Sequence, residues 1–393
     1  MEQQEKKQEK KQEKKQEKKQ EPFFTTQILT YMGNKRKFIE PLNNILLELE
    51  KTLQKPKGEL LIGEGFSGSG ILSRLFKTHA SHLFTNDLAG YAKTLNRCYL
   101  SNMTKYDKEK INKIIDDANN FVDNETEKYD KFISVYWSDF GEKNTKSSRS
   151  YFTEENALRI DKYMYFIKKK VHKSIQHFLL GPLLVECSIH NNTNGQFSAF
   201  YKDANGIGKL GGKKEIDLKR ITKTIRIPYP ILKNTKCRNM VCQKDTNDWV
   251  KELPMLDIMY YDPPYNKHPY SIYYFLIDII NNWDTTIEVP ETNRGQPKNW
   301  VKSAYNSFTN AEETFEDLIK NTKAKCIILS YNNGGIIPIT TIDKILKKYG
   351  KVEKLPIDYK IYNKLKGIAA YKRKGENVKV KEYLWVLYKD LYK

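Results

Sequence analysis

Asp262, Pro263, Pro264 and Tyr265 follow the apolar run 256–261 directly, and their types suit the holding of an aromatic amine. An amine on a purine ring, as in adenine, is a poor nucleophile because its lone pair is delocalised into the ring. A carboxylate that accepts one N–H and a backbone carbonyl that accepts the other redirect that lone pair toward an electrophile such as an activated methyl group. Asp262 supplies the carboxylate and Pro263 the carbonyl. Two prolines stiffen the turn, since proline fixes its own φ and restricts the residue before it. Tyr265 adds a flat ring for the base. Asp-Pro-Pro after a strand is also ordinary turn chemistry, so the four residues gain meaning from what accompanies them.

Upstream, residues 59–63 read as a short buried strand, followed by Glu64, Gly65, Phe66, Ser67, Gly68, Ser69 and Gly70 and then an apolar helix through Phe76. This is a nucleotide-binding strand-turn-helix opening, in which glycines let the backbone approach a ligand. Asp87, closing the strand-like stretch 82–87, suits ribose hydroxyls, and suits equally a cap on the next helix. Gly63, Gly65 and Gly68 also satisfy the GxGxxG spacing of dinucleotide-dependent oxidoreductases. Against that alternative stands the earlier segment 31–38, with Tyr31, Gly33 and Lys35, which a dinucleotide fold beginning at its first strand does not need.

The order of Tyr31, Gly33 and Lys35, then the glycine loop, then a long basic insertion, then Asp262 to Tyr265 resembles the alpha class of DNA adenine methyltransferases, which includes Dam-like and restriction-modification enzymes. The resemblance spans residues 30–388. It implies an α/β, Rossmann-like S-adenosylmethionine-dependent methyltransferase fold, mostly parallel with antiparallel closing strands, plus an inserted DNA-recognition region. It further implies that Lys35 meets the methionine carboxylate of S-adenosylmethionine, with Tyr31 packed near that cofactor. Glu64, Phe66, Gly68 and Gly70 would line the cofactor and Asp87 would bind its ribose. Asp245 would stand near its adenine, or else cap the helical run 246–251. Lys35 also reads as a solvated member of the cluster with Arg36 and Lys37.

The same four residues separate related chemistries. Attack on the cytosine ring needs a cysteine nucleophile, usually after proline, and none of the five cysteines follows a proline. In the resembled enzymes serine at the first position goes more often with the cytosine amine, and asparagine with ribosomal RNA adenine or protein glutamine, so Asp262 favours DNA adenine. An RNA or protein amine methyltransferase is the alternative within this chemistry, and a noncatalytic DNA-binding protein lies outside it.

The formal charge of +20 and isoelectric point near 9.4 agree with a polyanionic partner, here double-stranded DNA. Between Lys202 and Arg238 eleven Lys or Arg residues face three acids. Lys202, Lys209, Lys213, Lys214, Lys219, Arg220, Lys223 and Arg226 are the candidate DNA contacts. Gly206, Gly208, Gly211 and Gly212 permit close approach to phosphates, residues 197–201 suggest a strand presented to DNA, and His190, Asn191, Asn192 and Asn194 could meet base edges.

The positioning elements come from alternation of apolar strands with helical stretches. Strands are expected at 59–63, 82–87, 240–244, 256–261 and 324–331, a pattern that predicts a parallel sheet. Residues 352–360 and 381–388 look like closing strands, which the resemblance makes the antiparallel pair. Residues 1–21, with four EKKQ units and no apolar face, read as a solvated helix or a disordered basic arm. Residues 22–101 and 239–393 make the catalytic domain and 102–238 the inserted recognition region. Beyond the motif, Tyr270, Tyr273 and Tyr274 either line a pocket or start a packed helix, and the segment after Trp283 is a candidate closing loop. No apolar run is long enough for a bilayer, and unpaired cysteines without zinc-ligand spacing suit a reducing, cytoplasmic setting with no metal. A cognate restriction endonuclease is the further partner that the resemblance suggests.

Overall fold

The computed structural model describes residues 21–30, 33, 35–124, 127–138, 148–212, 217–298, 302–357 and 381–389. Tyr31, Lys213, Lys214 and the EKKQ units lie outside the described residues. Seven strands form one sheet: β1 (Leu60–Glu64), β2 (Ala80–Asn86), β3 (Arg238–Cys242), β4 (Leu256–Tyr261), β5 (Ala324–Asn332), β6 (Gly350–Ile357) and β7 (Glu382–Lys389). Their order is β3-β2-β1-β4-β5-β7-β6. All pairs from β3 through β5 are parallel, while β7 runs antiparallel to both β5 and β6. The mostly parallel α/β sheet with antiparallel closing strands is the expected one.

Alternation explains the layering, because successive side chains of a strand point to opposite faces. On β5, Cys326 and Ile328 pack into one apolar cluster and Ile327 and Leu329 into the other; Leu384 and Val386 of β7 divide from Trp385 and Leu387 in the same way. Helices α1 (Ile39–Thr52) and α2 (Ile71–Lys77) lie on the first face. A third cluster joins α3 (Gly90–Tyr99) to α4 (Lys105–Asn124), α5 (Glu154–Lys170) and α6 (His177–Ile189), so the helices of the long insertion share a core with the sheet's own flanking helix. After β3 come α7 (Thr246–Glu252), α8 (Tyr270–Asn282), α9 (Ala311–Asn321) and α10 (Ile339–Lys347).

Two expectations change. Strand β3 ends at Cys242, two residues early, because the backbone N–H of Lys244 turns to donate to the Asn86 side chain at 3.0 Å and Asp245 starts α7. Residues 197–201 form no strand. Phe197 and Phe200 are buried, the Phe197 N–H donates to the Tyr273 carbonyl, and the Tyr151 hydroxyl donates to the Phe197 carbonyl at 2.8 Å, so apolar docking replaces edge presentation. Among the described residues no helix is long and apolar enough to cross a membrane.

Candidate active site

Strand order reverses between β1 and β4, and in open α/β sheets ligands bind outside the carboxyl ends of the strands at such a switch point. Here the carboxyl ends of β1, β2, β3 and β4 deliver Gly65, Asp87, Asp245 and Asp262 to one edge. A cavity of about 450 Å³ opens there, and its wall includes Phe66, Gly68, Asp87, Asp245, Asp262 and Pro264.

The glycine loop is held by backbone bonds. Gly65 N–H donates to the Tyr260 carbonyl at 3.0 Å, which ties the loop to the strand before Asp262. A Cβ on Gly65 would sit 2.6 Å from the Tyr261 ring, so only glycine lets β1 pass β4 this closely. Gly68 has φ +48°, and its N–H donates to Asp87 Oδ2 at 2.8 Å. The other Asp87 oxygen accepts from Ala89 N–H at 2.9 Å, so this carboxylate braces the loop and the turn before α3 while still lining the cavity; α3 itself has no side-chain cap. Burial raises its pKa and the donated N–H groups oppose the rise. Asp245 likewise accepts from Asn247 N–H at 2.9 Å as the cap of α7, and it lines the same wall.

Glu64 and Gly70 stand behind the loop rather than in the wall. The Ser73 hydroxyl donates to Glu64 Oε2, and burial pushes the Glu64 carboxyl up to about 8 against that bond. Gly70, at φ +74°, closes on Asn96.

Lys35 is buried and reaches Asp262. Its ammonium lies 3.2 Å from Asp262 Oδ1 and 3.3 Å from Glu382 Oε2. Burial alone would lower its pKa, but the two carboxylates outweigh that and raise it well above the ordinary value. Burial pushes the Asp262 carboxyl up to about 6, with Lys35 holding it down and Glu382 adding to the rise. The ammonium at its side favours the carboxylate form of Asp262. Pro263 is buried, and the Tyr265 carbonyl accepts from Ile336 N–H at 3.1 Å, which pins the turn. The Tyr265 ring is 8% exposed, edge-on to Tyr331 and outside the cavity wall, so it is not an open platform in this conformation.

The model of the D12 class N6 adenine-specific DNA methyltransferases matches residues 31–327. The chain belongs to that family. It is 25% identical over 369 residues to the type II methyltransferase M.NlaIII of Neisseria lactamica, covering 92% of this chain and 99% of the relative. It is 25% identical over 329 residues to M.CviAII of Paramecium bursaria Chlorella virus 1, covering 82% and 88%. For M.FokI of Planomicrobium okeanokoites the identity is 26% over 373 residues, and there the match spans 92% of this chain but only 53% of the relative.

Within this D12 methyltransferase the remaining candidates separate by burial. Tyr270 lines the cavity, whereas Tyr273 and Tyr274 are buried in the helical core, so both readings of the tyrosines hold for different members. Asp284, Ile287, Gln296 and Pro297 from the segment after Trp283 also line the wall. Two carboxylates had no sequence signal. Asp278 on α8 lines the cavity and is pushed up to about 7 by burial, against a bond from the Tyr91 backbone. Glu382 enters from β7, 120 residues past the motif.

Several candidate DNA contacts make bonds within the fold. Arg220 donates to the carbonyls of Ile189, Asn191 and Thr193, the last two at 2.9 Å. His190 Nδ1 donates to the Arg220 carbonyl at 2.6 Å. Asn191 and Asn192 are buried; Asn192 donates to the Ser150 and Lys209 carbonyls and accepts from Gly211 N–H, so neither offers an edge to a base. A Cβ on Gly208 would lie 1.9 Å from Ser150 Oγ, a packing reason for that glycine in place of phosphate approach. Arg226 pairs with Asp123, and Lys202 stacks its ammonium 4.8 Å from the Phe200 ring centroid. Lys209 is half-buried, Asn194 exposed, and Lys219 and Lys223 are exposed cations.

Proposed function

We propose that this D12 adenine methyltransferase is a site-specific type II modification enzyme that uses S-adenosylmethionine in the cavity beside Asp262. The observation that carries this reading is the meeting, in one wall, of the glycine loop, Asp87 and Asp245 with the Asp262 carboxylate. The donor set suits the cofactor, since carboxylates on three strand ends offer acceptors for ribose and adenine, and their negative charge favours its sulfonium.

When bound, S-adenosylmethionine supplies a methyl group whose bond to sulfur breaks, the electron pair going to sulfur, as the adenine amine's lone pair forms the new carbon–nitrogen bond. Asp262 accepts one N–H of that amine and the Pro263 carbonyl the other, aiming the lone pair. The amine's surplus proton passes to water during or after transfer, so Asp262 acts as an orienting acceptor and need not be a strong base. The adenine leaves the duplex to reach this edge, because a stacked, paired base cannot present its amine to a recessed carboxylate. Tyr265 stacks on it after the ring swings from Tyr331. Lys35 has three donors, two directed at Asp262 and Glu382, and the third serves the cofactor's carboxylate. Glu64 and Gly70 shape the loop that Phe66 and Gly68 present, and Tyr31 packs nearby.

Residues 102–238 form the target-recognition region, with Lys202, Lys209, Lys219 and Lys223, together with Lys213 and Lys214, tracking DNA phosphates. A paired endonuclease acting on the same site and a cytoplasmic setting belong to this reading, and relatives named as type II methyltransferases accord with a restriction-modification context. The oxidoreductase, RNA and protein alternatives gain nothing from the comparisons.

The test is modification-sensitive single-molecule sequencing of plasmid DNA from a methylation-deficient host expressing the chain, beside an Asp262→Ala control. Methylated adenine at one short motif, lost in the control, is the expected result. Absence of modified adenine with a soluble, cofactor-binding protein would turn the substrate to RNA or protein.

A further inference from the structure

Part of the cavity wall is held from outside the sheet. Trp137 and Arg149 belong to the chain between α3 and β3. They stand close together because Ser138 and Ser150 form an antiparallel bridge and Tyr151 N–H donates to the Trp137 carbonyl at 3.1 Å. Trp137 is fully buried in the helical cluster, which fixes the direction of its indole N–H, and that group donates to the Arg294 carbonyl at 3.0 Å. Arg149 donates from Nε to the Thr292 carbonyl at 3.0 Å and from Nη2 to the Pro290 carbonyl at 2.8 Å. A guanidinium presents these donors in one rigid plane, so two bonds set both the distance and the tilt of the backbone they hold.

Bonds inside the turn give it its curl: Thr292 N–H donates to the Pro290 carbonyl at 2.7 Å and Gly295 N–H to the Thr292 carbonyl at 3.1 Å. Bonds from Trp137 and Arg149 give it its place, after Ile287 and Val289 have packed on the same helical cluster. Gly295 has φ +62°, and a Cβ there would lie 2.9 Å from Arg149 Nε, so glycine lets the guanidinium close on the turn. The next two residues, Gln296 and Pro297, enter the cavity wall, and Gln296 Nε2 donates to the Ser271 carbonyl at 3.2 Å.

We propose that Arg149 is a positioning residue for the cofactor cavity: with Trp137 it fixes residues 290–295, so that Gln296 and Pro297 stand in the wall against which S-adenosylmethionine binds. This rests on the reading that the cavity holds S-adenosylmethionine. The chain between α3 and β3 then has a task besides its proposed DNA contacts, because it completes the cofactor site. Without the guanidinium the turn takes up other placements, and apparent affinity falls by the fraction of molecules that keep the wall in place. The carbonyls of Pro290 and Thr292 can turn to water when released, since Thr292 is exposed and Pro290 half-buried.

The experiment measures the dissociation constant of S-adenosylmethionine by calorimetry, without DNA, for the full chain, Arg149→Ala, Gln296→Ala and the double variant. R149A should bind about tenfold more weakly, which corresponds to a wall in place about one tenth of the time. Q296A should also weaken binding. Because Arg149 acts through the wall, the loss in the double variant should fall well short of the product of the two single losses. An unchanged dissociation constant in R149A or in Q296A, or a double loss equal to that product, overturns the proposal. So does a lower melting temperature or a loss of DNA affinity in R149A with cofactor binding intact. If R149A fails to fold, Arg149→Lys, which cannot span both carbonyls, takes its place in the cycle; failure of both to fold assigns Arg149 to structure alone and overturns the proposal. Absence of S-adenosylmethionine binding by the unaltered chain would instead defeat the underlying reading, an outcome visible before any variant is compared.

Discussion

The Asp262 cavity and the basic segment 202–238 are both rich in polar side chains, yet they leave different groups open to a ligand. At the cavity, backbone N–H groups hold Asp87 and Asp245 in place while both still line the wall, and Asp262 lines it beside the Lys35 ammonium at 3.2 Å. In the basic segment, Arg220, His190, Asn191 and Asn192 complete one another's hydrogen bonds and leave exposed lysines at the surface. The lesson is that a chemical site keeps its anchored acceptors in an open wall, whereas polar residues in a recognition segment can be scaffold. Electrostatic attraction to phosphates tolerates this, because it needs charge near the surface and little fixed geometry.

Substitutions sharpen the contrast. Asp262→Ala should reduce methyl transfer by about 10³-fold or more while calorimetry finds cofactor binding intact; retained turnover removes Asp262 from its assigned role. Lys35→Met should weaken cofactor binding about 10- to 100-fold. It should also move the acid limb upward, because the Asp262 carboxyl, at about 6 with Lys35 present, loses the cation that holds it down. A carboxylate whose activity needs the ionised form loses activity as pH falls through its pKa, so the raised value narrows the active range from the acid side. An unchanged dissociation constant would sink the cofactor contact alone.

Arg220→Ala breaks the comparison from the other side. Orphaned carbonyls at Ile189, Asn191 and Thr193 should lower stability by about 1–3 kcal/mol, read as a lower melting temperature. If the melt is unchanged and DNA affinity falls instead, Arg220 belongs with the phosphate-binding cations. The smallest effect is expected for Lys219→Gln with Lys223→Gln, which should leave the melt alone and reduce the slope of log affinity against log salt by about 0.9 for each phosphate no longer neutralised.

Much of the frame is legible in the sequence because alternation of apolar strands with helices is a strong local signal. Strand β4 and its turn fall where expected, and the other strands shift by two residues or fewer where their described ends can be compared. Asp262, Asp87 and Asp245 are legible for a second reason: each follows a strand closely, and strand ends at one edge of a parallel sheet converge. Glu382 opens its strand, and only the antiparallel insertion of β7 beside β5 carries that opening end to the site. No spacing in the sequence encodes that insertion. His190, Asn191 and Asn192 mislead because residue type carries hydrogen-bonding capacity but not burial. The Tyr265 ring cannot be read either way, since its orientation depends on Tyr331 across the turn.

The Lys35–Glu382 bond joins residues 347 positions apart. Contacts of such separation form late, after loop closure has been met by the rest of the chain. While the polypeptide is being synthesised, Lys35 emerges early and must wait for its second counterion until nearly every other element has left the ribosome. Any product that stops before β7 lacks Glu382, one of the two carboxylates that the ammonium meets in the finished sheet. The pairing of a buried cation near the start of the described chain is thereby coupled to completion of the sheet at its last strand.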